Sequence, residues 1–247
     1  MSVADLALLL AAGLAAGLSG TVAGLGSLFS YPALLATGMP ATAANVTNTV
    51  ALAFGTVSAV PSSRAELDGQ RSVLWRLAVP CACGSAAGAA LLLATPPGVF
   101  EKVVPLLVGG AAVLIMLPTR PPRHQVSSGP AAAAGVFAVS VYSGYFAAAS
   151  GVLMLALLLV TSARSESFPR ANALRNALMV VADAVAALGF AAFGPVRWAA
   201  VPPLVAGLLA GSWLGPSLVR RVPAGPLRVA VGVAGLGLAV HLALDAF

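Results

Sequence analysis

Charge is scarce in this chain. Only 8% of its 247 residues are Asp, Glu, Lys or Arg, where soluble domains carry about 25%. Hydrophobic residues make up 60%. A water-soluble fold of this length cannot hide that much apolar surface, so the solvent must be lipid. Histidine and cysteine are equally sparse, with two of each. His124 and His241 have no neighbour at metal-ligand spacing, which argues against a bound metal and leaves no cofactor in view. Cys81 and Cys83 lie two apart in an apolar stretch, point to different faces, and read as small core residues. No polar stretch is long enough to form a soluble domain. The first twenty residues lack a basic region and a convincing cleavage site, so they read as structure rather than a signal peptide. Strict alternation of apolar and polar residues is missing too. Runs such as Val103–Leu117 and Leu153–Val160 are continuously apolar, which excludes a membrane barrel and leaves helices. The net charge of +6 comes from arginines in short loops, as the positive-inside rule expects, so no nucleic-acid partner is implied.

Eight apolar stretches are present, over 3–36, 41–61, 74–95, 100–118, 131–161, 171–193, 198–219 and 227–246. One span needs about 20 residues. The first and fifth stretches are too long for one span and too short for two. Small residues interrupt both, Gly24-Leu25-Gly26-Ser27 in one and Ala147-Ala148-Ala149-Ser150-Gly151 in the other. Broken helices are tolerated at membrane depth where they line a cavity. Charge discriminates between topologies. If all eight stretches cross once, the thirteen basic residues divide almost evenly between the two sides. If the first and fifth are re-entrant hairpins, only Lys102 and Arg197 stay on one side, and the other side gathers the rest. The second arrangement obeys the positive-inside rule. It places the loops at 62–73, 119–130, 162–170 and 220–226 in the cytoplasm and both termini outside.

The polar residues are duplicated. Ala44-Asn45-Val46-Thr47-Asn48-Thr49 answers to Ala171-Asn172-Ala173-Leu174-Arg175-Asn176. Gly84-x-x-x-Gly88 after Leu77-Ala78-Val79-Pro80 answers to Gly207-x-x-x-Gly211 after Ala199-Ala200-Val201-Pro202. These Gly pairs read as close helix contacts in lipid. With Asn45 at 0° on a helix, Thr49 falls near ~40° and Thr56 near ~20°; with Asn172 at 0°, Asn176 and Asp183 take the same angles. Asn48 and Arg175 correspond as well. Polar groups in lipid must pair or face water, so the matched stripes read as helix-to-helix hydrogen bonds or as the walls of a shared cavity, and the duplication favours the cavity. Arg175 reads either as a snorkelling interface residue or as an anion attractor. Asp183 reads either as a structural partner or as a proton carrier. The expected fold is therefore an all-α polytopic membrane protein of two inverted repeats, each with a re-entrant broken-helix hairpin and three transmembrane helices. The first repeat covers 1–118, a cytoplasmic linker 119–130, and the second repeat 131–247. The expected site is Asn45, Asn48, Thr49, Asn172, Arg175 and Asn176. Ser27 and Ser150 stand at the hairpin tips beside Gly24, Gly26 and Gly151, and Asp183 is available for proton coupling.

Three runs carry a family resemblance in the first half: Gly20-Thr21-Val22-Ala23-Gly24-Leu25-Gly26-Ser27-Leu28, Tyr31-Pro32-Ala33-Leu34-Leu35, and Ala44 through Val50. In the second half they are Tyr142 through Val152 and Arg170 through Asn176. Together they resemble the TauE/SafE sulfite-exporter family over nearly the whole chain. The resemblance implies secondary transport, with export favoured, of sulfite, an organosulfonate or a related sulfur-containing or carboxylate anion across the bacterial plasma membrane, linked to protons or otherwise driven. The chain departs from the family pattern in two places. Glycines around 147–149 are here alanine, and the expected Lys at 175 is Arg, a planar fork in place of a point charge. An importer, a channel and a membrane assembly factor are the alternatives. An enzyme would need a buried His, Cys or acid pair around a cavity, and none is apparent. Partners reduce to the small anion, lipid and protons, with homo-oligomerisation left open.

Overall fold

The computed structural model describes residues 1–23, 26–59, 64–116, 129–161, 168–219 and 224–246. The chain is all-α, with no strand among the described residues. Its helices are α1 (Val3–Ala23), α2 (Ser27–Ala36), α3 (Ala41–Ala59), α4 (Arg64–Leu67), α5 (Arg71–Ala94), α6 (Pro97–Met116), α7 (Pro130–Tyr145), α8 (Ser150–Thr161), α9 (Phe168–Phe193), α10 (Val201–Val219) and α11 (Ala224–Ala246). The expected linker at 119–130 lies almost wholly outside the described residues, as does Gly24. The two stretches of awkward length are each divided into two helices, α1/α2 and α7/α8. Four described helices are long and apolar enough to cross a membrane: Val3–Gly20, Arg71–Ala94, Pro97–Leu114 and Pro169–Phe193. Large apolar side chains stand exposed on almost every helix, among them Leu6, Phe54, Trp75, Leu106, Leu188 and Trp213. Spread over water, that surface would drive aggregation; against lipid tails it is the right solvent match.

Helix ends follow local chemistry. At the start of α1, the Ser2 N–H donates to Asp5 Oδ2 at 2.7 Å and the Asp5 N–H to Ser2 Oγ at 3.1 Å, a reciprocal cap for donors with no partner inside the helix. Pro130 opens α7, where its missing N–H costs nothing. Pro202 and Pro203 sit in the first turn of α10 for the same reason. Pro80 and Pro105 lie inside α5 and α6.

Two helix pairs dominate the packing, α1 with α10 and α5 with α7. Both are parallel and both are glycine contacts. A Cβ on Gly17 would overlap the Leu208 carbonyl and press on the Ser212 N–H; a Cβ on Gly144 would do the same to the Ser85 carbonyl and the Ala89 N–H. Gly207 and Gly211 meet the Leu10 and Leu14 carbonyls as Gly84 and Gly88 meet those of Phe137 and Val141. The Gly-x-x-x-Gly pairs are thus packing devices, as their spacing indicates. Several other contacts come in matching sets: α5 on α9 and α10 on α3, α2 on α3 and α8 on α9. Helices α3 and α9 run antiparallel through the centre, with Val46 beside Gly194 and Thr56 bonded to Asp183.

One sequence expectation needs correction. Cys81 is buried, its thiol donating to the Leu178 carbonyl at 3.3 Å, but Cys83 is exposed. Two positions on a helix are about 200° apart. With Cys81 turned toward α7 and α9, Cys83 is carried to the outer surface.

Candidate functional site at the two helix breaks

A helix broken at membrane depth leaves backbone carbonyls that water cannot satisfy. The break between α7 and α8 shows how they are served. Asn45 Nδ2, from α3, donates to the Tyr145 carbonyl at 2.9 Å. Tyr142 Oη donates to the Ala148 carbonyl at 2.8 Å. The Ala147 carbonyl accepts from Ser150 Oγ at 2.9 Å and from Ser27 Oγ at 3.3 Å. The last bond ties the start of α2 to the start of α8, so the two breaks meet. Phe146 packs edge-on to Tyr31, with centroids 5.5 Å apart. Ala149, fully buried, holds φ at +60°. This left-handed conformation costs a residue with a Cβ roughly 1–2 kcal/mol and ordinarily calls for glycine. The turning residue is therefore Ala149, whereas Gly151 is the second residue of α8. Gly26 precedes α2 with ordinary helical angles. Its lack of a side chain serves space instead: a Cβ there would stand 3.1 Å from the Ala16 carbonyl oxygen and 3.4 Å from Leu52.

Beside this meeting point lies a small cavity of about 80 Å³. Ser27, Ser150, Gly26 and Gly151 line it from the breaks, and Arg175, Asn176 and Asp183 from α9. Thr56, Leu52 and Gly55 close it from α3, and Leu208 and Ser212 from α10. Arg175 is 2% exposed, so its guanidinium does not reach the outer surface of the protein as a snorkelling side chain would. Its Nη2 donates to Asn176 Oδ1 at 2.5 Å. Its Nε and Nη1 have no hydrogen-bond partner among the described residues. Asp183 stands two helical turns further along α9 and bonds to Thr56. Arg175 and Asp183 line the cavity from the same helix.

Four sequence-selected residues stay out of this cavity. Asn45 holds the α7 break, and Thr49 Oγ1 donates back to the Asn45 carbonyl at 3.0 Å. Asn48 is buried and Asn172 half-buried, and the Oδ1 of each lacks a partner among the described residues. Sequence reading treated the stripe as one surface. In the structure it divides between a cavity wall and a backbone support. Tyr142 was not singled out as a ligand of the break; its only sequence signal was its place six residues before Ala148. No group of His, Cys, Asp and Glu capable of holding a metal occurs among the described residues.

An all-α chain with a lipid-type exterior, broken helices meeting at its centre and a buried polar cavity beside them is a multi-pass membrane protein. Residues 9–242 match the family model described as sulfite exporter TauE/SafE, and the chain belongs to that family. No curated protein and no solved structure matches it.

Proposed function

We propose that the chain is a secondary transporter of the bacterial inner membrane that exports a small anion, sulfite, an organosulfonate or a related sulfur-containing or carboxylate anion. The observation that carries this reading is Arg175, a buried guanidinium on the wall of a cavity whose Nε and Nη1 have no hydrogen-bond partner among the described residues. A buried cation whose N–H groups are only partly satisfied is costly, and an anion in the cavity would complete it. The N-termini of α2 and α8 point at the same place and add their positive dipole ends. Ser27 and Ser150 place hydroxyls beside them.

The architecture proposed is two inverted repeats, 1–118 and 131–247, each with one re-entrant hairpin, α1/α2 or α7/α8, and three crossing helices. Its support is the matched packing of α1 on α10 and α7 on α5, together with the antiparallel run of α3 and α9. Sites at the interface of such repeats, formed by broken helices, are a transporter pattern. Asp183 is the proposed proton carrier, since it is the acid that shares the cavity with Arg175. The direct test is efflux of sulfite from proteoliposomes, read with and without a pH gradient. A protein that moves no sulfite, sulfonate or small carboxylate and gains no thermal stability from any of them is not this transporter.

Asp183→Asn separates binding from coupling. It keeps the shape of the side chain and removes its proton chemistry. Sulfite should still stabilise the purified variant, while its transport should lose all dependence on the pH gradient. Retained pH dependence would assign the proton to another group.

A further inference from the structure

Helix α2 is held on two sides and loose on a third. It packs on α1 and α3 but only lightly on α11. Between it and the α6–α11 pair lie two cavities, of about 390 and about 240 Å³. Both are walled by Pro32 and Leu238, so they are consecutive parts of one shaft. Glu101, Val104 and Val108 line it from α6, and His241, Leu238 and Gly235 from α11. These positions recur at one-turn spacing on one face of each helix, and seven residues of helix make the shaft about 10 Å deep. Its deep end reaches Ser27 and Ala148 at the helix breaks. Its mouth lies where α6 begins and α11 ends.

The two ends differ in chemistry. Glu101 and His241 stand at the mouth, and Lys102, next to Glu101, is exposed. Between the mouth and the breaks the walls are apolar but for Tyr31. Tyr31 is 2% exposed, and its hydroxyl has no hydrogen-bond partner among the described residues. A buried hydroxyl of that kind calls for an acceptor. An unfilled apolar space also forfeits the dispersion contacts of the atoms on its walls. The lining does not suit a transported anion, since an acid stands at the mouth and no arginine or lysine faces the shaft. It does suit a molecule with a cationic head, a polar neck and an apolar tail. We propose that the shaft binds one phospholipid with a primary-amine headgroup, a phosphatidylethanolamine. The amine pairs with Glu101. The phosphate meets Lys102, whose long side chain can bend toward it. An ester carbonyl accepts from the Tyr31 hydroxyl, and one acyl chain runs down between α2, α6 and α11. The lipid thereby braces the loose side of α2. The inference does not depend on which solute the chain moves.

The test uses the purified full-length protein. Phosphatidylethanolamine with a photoactivatable diazirine near the end of one acyl chain is added and irradiated, and labelled residues are mapped by peptide mass spectrometry. Label is expected on Leu28, Val108 and Leu238, and little on Leu106 and Val113, which are exposed on the outer face of α6. Unlabelled phosphatidylethanolamine should compete at about 5-fold lower concentration than phosphatidylglycerol with the same chains. That factor is the upper end for an ion pair open to water. Glu101→Gln should abolish the preference. Tyr31→Phe should weaken both lipids alike and leave the protein folded, because it removes a hydroxyl that bonds to nothing among the described residues. Label spread evenly over α6 overturns the proposal. So does phosphatidylglycerol that competes as well as phosphatidylethanolamine or better, and so does a Glu101→Gln variant that keeps the preference.

Discussion

Replacing Arg175 by glutamine is expected to weaken anion binding at least ~10-fold, about 1.4 kcal/mol, while leaving the protein folded. Glutamine keeps a donor for Asn176 Oδ1, the one hydrogen bond described for the guanidinium. It gives up Nε and Nη1, which bond to nothing among the described residues. The anion-free variant should melt close to the parent, because an incompletely paired charge has left a site that is 2% exposed while buried Asp183 loses the guanidinium charge near it. The stabilisation that sulfite or methanesulfonate gives the parent should shrink in proportion to the lost affinity. Arg175→Lys restores the charge but not the two-pronged geometry, and should recover part of the affinity. Equal anion stabilisation in the parent and in Arg175→Gln would reduce Arg175 to a structural residue. The cradle would then rest on the helix N-termini and the serines Ser27 and Ser150.

The membrane class and the helix content were legible in the sequence because they follow from bulk quantities, the 8% charge and 60% hydrophobic content. The two helix breaks were legible because 3–36 and 131–161 are the wrong length for one span or two. What each break is made of was not. Glycine marks a turn only where the backbone needs a positive φ or empty space. Gly26 supplies space, and the positive φ falls on Ala149. The polar stripe was legible as periodicity on one helix. Periodicity cannot say what lies opposite. Asn45 and Thr49 share a helical face with Thr56, yet Asn45 faces the end of α7 and Thr56 faces the cavity. The reason is that the two helices are crossed by different partners along their length. α3 meets α10 and α2 as well as α9, and each partner turns the same stripe to a different use. The Gly-x-x-x-Gly pairs could be read as contacts. Their partners could not be read from spacing alone: α1 carries the same motif, Gly13-x-x-x-Gly17, and α7 has Ser140-x-x-x-Gly144, but a motif does not say which helix it faces.

Those contacts set the second large effect. Gly88→Ala and Gly211→Ala should each destabilise the protein by about 3 kcal/mol, the upper end of what overpacking costs. Alanine is ordinarily the better helix former by about 1 kcal/mol, so propensity predicts the opposite sign. Geometry decides. A Cβ on Gly88 runs into the Val141 carbonyl and one on Gly211 into the Leu14 carbonyl. A backbone oxygen cannot rotate away as a side chain can. Relief requires the whole helix to retreat, and retreat undoes every other contact of a pair in which Gly84 and Gly144, or Gly13 and Gly207, are equally tight. Gly110→Ala in α6 is the control, because nothing lies within 4 Å of its Cβ position. It should be neutral or stabilising by up to about 1 kcal/mol. Thermal unfolding in detergent reads all three. Gly88→Ala or Gly211→Ala melting with Gly110→Ala would mean that the parallel pairs are loose.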